Sequence, residues 1–98
     1  MIKHVVMWKL KDFAEGNDKE TNKQIVKKNL EGLRGQIEGL LAIEVGVNYN
    51  SSGYDICLYS EFKDRAALDY YTDHPLHKKN LIFTRAVVCE RASVDYEI

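Results

Sequence analysis

Ile2–Leu10, IKHVVMWKL, is the segment that constrains the fold most, because its residues alternate in character along its whole length. One set is apolar except for a single histidine and comprises Ile2, His4, Val6, Trp8 and Leu10. The other set is only half polar, since it includes Val5 and Met7 beside two lysines. Alternation with apolar groups on both sides is typical of a central strand that is covered on both faces.

The segment after this strand predicts a helix that starts near Lys19. Asn17 or Asp18 can cap it, because a short side-chain oxygen accepts hydrogen bonds from the first free amides. Apolar residues then recur at spacings of three and four, which is the period of one helix face. They are Val26, Leu30, Leu33, Ile37 and Leu40. Gly39 is the predicted terminator of this helix, since glycine readily ends helices.

The rest of the chain predicts three more strands and a second helix. Alternating apolar residues place strands at Ile43–Val47, Tyr54–Phe62 and about Thr84–Tyr96. Asp64 caps the second helix, RAALDYYTD, and Pro75 ends it because proline has no amide hydrogen to donate to the preceding turn. The residues PLHKKN that follow predict a short helical turn starting at the proline.

The resulting order, βαββαβ, predicts one ferredoxin-like α+β domain over residues 1–98. Short connections and right-handed crossovers give a four-stranded antiparallel sheet in the order 4-1-3-2, with two helices on one face. The opposite face keeps the apolar groups Val5, Met7, Cys57 and Tyr59. A domain of this size has a thin core and cannot cover them alone, so we expect a homodimer formed through this face of the sheet.

Composition narrows the classes of partner. The 98 residues carry 14 basic and 15 acidic side chains, a net charge of -1, which does not favour nucleic acid or an anionic membrane. No segment approaches the roughly 20 apolar residues of a membrane span, and lysines interrupt the apolar amino terminus. Cys57 and Cys89 lie on strands about 9–10 Å apart, too far for a disulfide. A soluble, cytoplasmic protein is the prediction.

Three segments resemble the stress-responsive A/B barrel domain (Dabb) family. They are IKHVVMWKLKD at the amino terminus, YDICLYSEFKDRAALDYYTDHPLHKK in the second half, and the apolar VV…VDY of the last strand. The lysine-histidine pair near the start and the aromatic-x-x-His-Pro-x-His corner are the most specific pieces. The resemblance spans essentially the whole chain and implies a dimeric α+β barrel, in which two four-stranded sheets form one eight-stranded barrel.

The same resemblance implies a site. In a plant polyketide cyclase of this family, which closes a ring by a cofactor-free aldol condensation, the catalytic histidine and tyrosine match His77 and Tyr71. A histidine lining its pocket matches His4. The resemblance thus implies that a small apolar or carbonyl-containing molecule binds between sheet and helices, with cofactor-free lyase or cyclase chemistry if the protein is an enzyme. A non-catalytic, stress-related binding module and a purely structural homodimer are the alternatives.

The residue chemistry of the corner YYTDHPLHKK, Tyr70–Lys79, is compatible with this site. An imidazole with a pKa near about 6.5 can remove a proton next to a carbonyl, and a tyrosine hydroxyl can donate to the developing oxyanion. His77 is then the base, Tyr71 the donor and His4 the orienting group. The predicted apolar walls are Val6, Trp8, Leu10 and Phe83.

A structural explanation of the corner stays open. A His-Pro pair commonly ends a helix, and His74 is predicted to have only this role. Tyr71 can belong to the core, and His77 can lie at the surface beside two lysines. The three histidines and Glu61 lack the spacing of a metal site, and no glycine-rich phosphate loop is present, so no metal or cofactor is predicted.

Overall fold

A computed structural model describes all 98 residues, and it contains six strands and three helices. In chain order these are β1 (Ile2–Leu10), β2 (Phe13–Ala14), β3 (Asn17–Asp18), α1 (Lys19–Glu31), β4 (Leu40–Val47), β5 (Ile56–Phe62), α2 (Arg65–Asp73), α3 (Pro75–Val87) and β6 (Val88–Glu97). The two-residue strands β2 and β3 form a small hairpin of their own.

The four long strands form one antiparallel sheet in the order β4-β5-β1-β6. Counted among the long strands alone, this is the predicted order 4-1-3-2 read from the other edge. The labels differ because the hairpin, which the sequence did not predict, adds two strands to the count. The ferredoxin-like α+β fold is therefore confirmed, with β1 and β5 central.

The alternation in β1 divides the sheet into a buried face and an open face. The set that contains Val6 and Trp8 points towards the helices, and the same holds for Leu58 directly opposite Val6. Apolar side chains from α1 and from the segment after it complete the core, including Val26, Leu30, Leu33 and Ile37. Burial at about 25 cal/mol per Å² of apolar surface makes this layer the main source of stability.

The first helix is shorter than predicted. It ends at Glu31, with Gly32 as its C-cap, whereas the apolar spacing had placed its end near Gly39. Turns follow instead, and they include Gly35 and Gly39 at φ of 77° and 86°, in the left-handed region that favours glycine. Leu33 and Ile37 remain buried in these turns. The apolar pattern therefore predicted their burial correctly, but it was wrong about their helical conformation.

The second half also differs from prediction at one element. The expected short turn after Pro75 is a 13-residue helix, α3, and the last strand begins at Val88 and not at Thr84. Thr84 and Val87 are buried at a helical spacing of three. The alternating pattern of β6 extends by coincidence into the last residues of α3, which were therefore assigned to a strand. The prediction of two helices was wrong, since the structure has three.

The predicted caps are present. Asp18 and Asp64 accept hydrogen bonds from the amides of Thr21 and Ala67, each at 2.8 Å. His74 separates α2 from α3 in extended geometry, and its Nδ1 accepts from the amide of Leu76 at 3.1 Å. His74 therefore has the structural role that its position before Pro75 predicted.

The open face of the sheet is apolar at its centre. Val5, Met7, Cys57 and Tyr59 are only partly buried there, and Val94 is 53% exposed. Both cysteines are free thiols. None of the three helices combines the length and the hydrophobicity that a membrane-spanning helix requires.

Candidate functional site

A cavity of about 390 Å³ lies between the helix-facing side of the sheet and the corner formed by α2 and α3. Half of its lining side chains are apolar. The lining consists of His4, Val6, Trp8, Leu30, Leu58, Tyr71, Thr72, His77, Asn80, Leu81, Thr84, Arg85, Val88 and Arg91. Its volume lies within the range of known small-molecule pockets.

The break between α2 and α3 brings the predicted site residues together. Tyr71 lies in the last turns of α2, and His77 lies in the first turn of α3. Their ring centroids are 4.3 Å apart. The ring of His4, on β1, lies 6.3 Å from that of Tyr71. All three side chains that the family resemblance implied therefore line one cavity.

The surroundings of His77 favour its neutral form. Its Nδ1 lies 3.1 Å from the carbonyl oxygen of Thr72, which only accepts, so in the neutral ring Nδ1 carries the hydrogen and Nε2 keeps its lone pair. Burial lowers the pKa of His77, the hydrogen bond with Thr72 opposes this effect, and the positive charges of Arg85 and Arg91 lower the pKa further.

Tyr71 supplies a hydrogen-bond donor that the protein leaves unused. The residue is 1% exposed, and its hydroxyl has no hydrogen-bond partner. Burial raises the pKa of Tyr71 to about 12, so the hydroxyl stays protonated. A buried polar group without a partner costs about 1–3 kcal/mol. Because Tyr71 lines the cavity, an oxygen atom entering the cavity can relieve this cost.

His4 is oriented by the neighbouring strand. It lies directly opposite Asp95 of β6, and its Nδ1 is hydrogen-bonded to a carboxylate oxygen of that residue. The carboxylate accepts, so Nδ1 donates and the ring is fixed with Nε2 available. The edge of the ring also packs against Phe62, with centroids 6.2 Å apart.

The four predicted apolar wall residues divide into two pairs. Val6 and Trp8 line the cavity, as the parity of β1 predicted. Leu10 does not; it is buried in the core at the end of β1. Phe83 also lies outside the lining and packs against the core from α3. The prediction for Phe83 had no helix to fix its direction, because α3 was expected to end near Asn80.

Sequence reasoning missed the polar residues that α3 and β6 contribute. Asn80, Thr84 and Arg85 follow His77 at helical spacings of three, seven and eight. This signal was obscured because the predicted helical turn ended at Asn80 and a strand was predicted from about Thr84. Arg91 lies opposite Trp8 in the sheet and so faces the same side.

No group of three or more metal-ligating side chains lies together anywhere in the structure.

Fold and cavity define a ferredoxin-like α+β domain that encloses a space of small-molecule size. The chain belongs to the stress responsive A/B barrel domain (Dabb) family, whose model matches residues 2–98. None of the curated proteins matches the sequence significantly.

Solved structures show the same fold. A dimeric protein of unknown function from Bacteroides fragilis NCTC 9343 is 34% identical, with a TM-score of 0.88 over 99% of this chain and 95% of that one. A Dabb family protein from Mesorhizobium loti MAFF303099 is 26% identical, with a TM-score of 0.70 over 99% and 95%. The hydroxynitrile lyase of Passiflora edulis is 12% identical, with a TM-score of 0.81 over 99% and 92%, a likeness of fold alone.

Proposed function

We propose that this protein binds a small carbonyl-containing molecule in the cavity and moves a proton on the carbon next to the carbonyl, using His77 as base and Tyr71 as hydrogen-bond donor. The observation that carries the proposal is the buried, unpartnered hydroxyl of Tyr71 beside the neutral ring of His77. A donor and a base kept neutral side by side suit enolisation and aldol chemistry.

The proposed proton transfer needs only the ligand, His77 and Tyr71, and the aldol product needs in addition a second carbonyl group. Nε2 of His77 removes a proton from the carbon beside the carbonyl, and the electron pair of that C–H bond forms the carbon–carbon double bond of the enolate. The negative charge moves to the carbonyl oxygen, which accepts the hydrogen bond of Tyr71. Two outcomes are open to the enolate. Return of the proton from His77 to carbon regenerates the ketone. Alternatively, the enolate carbon attacks a second carbonyl, whose π electrons move to its oxygen, and this alkoxide takes the proton from His77 to give the aldol product.

The remaining lining residues have supporting roles in this proposal. His4, fixed by Asp95, orients the substrate from the opposite side. Val6 and Trp8 provide apolar walls that exclude water and strengthen the hydrogen bond to the oxyanion. The Passiflora hydroxynitrile lyase shows that this fold can support a lyase, which is an analogy of fold and not of site.

Two further assignments belong to the proposal. We infer a homodimer through the open face of the sheet, in line with the dimeric Bacteroides fragilis structure. A cytoplasmic location stays a prediction from the sequence.

A screen of β-dicarbonyl and phenolic compounds tests the proposed function. Ligand-observed NMR detects binding, and exchange of the carbon-bound hydrogen for deuterium in D₂O detects proton transfer. We expect His77→Gln to reduce exchange by about 10²–10⁴-fold, the usual contribution of a general base. Tyr71→Phe is expected to reduce exchange and to leave the fold intact, because it removes only an unbonded hydroxyl.

Tyr70→Phe is the matched control, since Tyr70 precedes Tyr71 in the same helix but is 53% exposed and outside the cavity. Binding without exchange would assign the protein to the non-catalytic binding class. If neither binding nor exchange responds to changes at Tyr71 and His77, the site is wrong.

A further inference from the structure

The permanently charged groups of the cavity are both positive. They are Arg85 from α3 and Arg91 from β6, and no aspartate or glutamate lines the cavity. The whole chain has a net charge of -1, so this positive lining is a local property and not a consequence of composition.

Neither arginine is neutralised by the protein. Of the four arginines, Arg65 pairs with Glu97 at 3.4 Å and Arg34 donates to the carbonyl of Ile43. Arg91 makes one hydrogen bond, to the hydroxyl of Ser93 at 3.2 Å, and Arg85 makes none. The two arginines that face the cavity are therefore the two whose guanidinium groups have neither a carboxylate nor a carbonyl partner.

The arginines and the proposed reaction centre belong to one electrostatic environment. Both arginines contribute to lowering the pKa of His77, which places their charge within reach of that ring. Thr84 and Asn80 continue the polar lining along α3 between His77 and Arg85. Tyr71, whose buried hydroxyl has no hydrogen-bond partner, also lines this cavity and is a second group suited to a ligand oxygen.

Arginine is the side chain best suited to recognise a carboxylate, because its planar fork matches the two oxygens in a paired arrangement. We propose that the ligand of this cavity is an acidic carbonyl compound, whose carboxylate is held by Arg85 and Arg91 while its carbonyl oxygen accepts from Tyr71. This inference rests on the proposed function and deepens it by naming the substrate class.

A pair of probes that differ only in charge tests the inference. 3-Benzoylpropionate carries a ketone and a carboxylate, and its methyl ester carries the ketone without the charge. We expect titration calorimetry to give at least about tenfold tighter binding of the acid, the effect of one charge-assisted contact. Arg85→Gln and Arg91→Gln should each remove most of this preference for the acid. Arg85→Lys and Arg91→Lys, which keep the positive charge, should each retain part of it. The acid's affinity should fall with added salt.

Lys78→Gln is the matched control, because it removes one positive charge from the exposed side of α3 outside the cavity. It should leave the preference for the acid unchanged. Circular dichroism of each variant establishes that the fold is retained. Equal binding of acid and ester, unaffected by either arginine substitution, would overturn the inference and leave the proposed function standing. Failure of both probes to bind would count against both.

Discussion

Burial shifts the pKa values of Tyr71 and His77 in opposite directions. Burial disfavours a charge on either ring, so it raises the pKa of Tyr71 to about 12 and lowers the pKa of His77. Around neutral pH the tyrosine therefore keeps its hydroxyl hydrogen for donation, and the histidine has a free lone pair. This division of roles follows from packing and needs no ion pair between the two residues.

The titration of His77 follows from the groups around it. Its ring faces Tyr71 from α2, His4 with its partner Asp95 from the sheet, and the positive charges of Arg85 and Arg91. We expect its NMR titration midpoint to lie below the ordinary value of 6.5. The unfolded chain binds the proton more readily, so the free energy of unfolding should fall as pH drops from above 6.5 through the midpoint.

Two variants check this pH prediction. Arg85→Gln removes a nearby positive charge and should raise the midpoint of His77 towards 6.5. His77→Gln should remove this residue's share of the acid-induced loss of stability, measured by urea unfolding on both sides of pH 6.5. A midpoint at or above 6.5 in the wild-type protein would show that the ring is more solvated than the structure has it.

At the scale of residues, the sequence predicted some of the side chains that line the cavity. His4, Tyr71 and His77 were implied by a family motif, and the structure brings them together. Arg85 and Arg91 had no motif, and their direction depends on where α3 ends and β6 begins. Leu10 and Phe83 were assigned to the cavity by parity or composition alone, which cannot determine how far along a strand or around a helix a cavity extends.

At the scale of elements, the turn before β4 is coupled to α2. Gly39 adopts φ of 86°, and a Cβ built on it would lie 2.6 Å from Cβ of Ala67 in α2. Its carbonyl accepts from the amide of Lys63, just before that helix, at 3.0 Å. A glycine here therefore allows both the turn and the close approach of the helix that carries Tyr71.

Gly39→Ala should consequently be more damaging than an alanine at a similar turn. We expect it to reduce the free energy of unfolding by at least about 2 kcal/mol, from the left-handed backbone and the steric overlap together. Gly35→Ala is the matched control, since Gly35 has φ of 77° but no atom within 4 Å of an added Cβ. It should lose only about 1 kcal/mol.

Urea unfolding of both variants measures the difference. An equal decrease in the free energy of unfolding for both variants would mean that Ala67 moves aside freely and that the contact between the turn and α2 contributes no stability.

The helix ends show which elements the sequence can specify. Asp18, Asp64 and Pro75 are local signals, and they mark the starts of α1, α2 and α3 correctly. The end of α1 and the length of α3 are set by packing against the sheet. In both segments the same apolar residues satisfy two patterns, so spacing alone could not distinguish a helix from turns or from a strand.

At the scale of the whole molecule, topology was predictable because few arrangements satisfy the connection rules. The assignment of β1 as a central strand, apolar on both faces, is consistent with its position between β5 and β6. The same double-sided character leaves an open face with a half-buried apolar centre. At one end of this face Lys3 contacts Glu61 and Tyr59 at 2.7 and 2.8 Å, which leaves no unpaired lysine there to oppose association.

The homodimer proposed through this face gives the last prediction. Light scattering should give twice the 11.3 kDa of one chain, and Val94→Asp should shift the protein towards monomer. Val94 lies opposite Val5 on the open face and is 53% exposed in the single chain, so the aspartate is tolerated by the monomer and disfavoured in the interface. Ile82→Asp is the matched control, since Ile82 is 76% exposed on α3, away from the sheet. It should leave the dimer intact. A mass of one chain at every concentration would end the proposal, and dissociation by both variants would place the interface elsewhere.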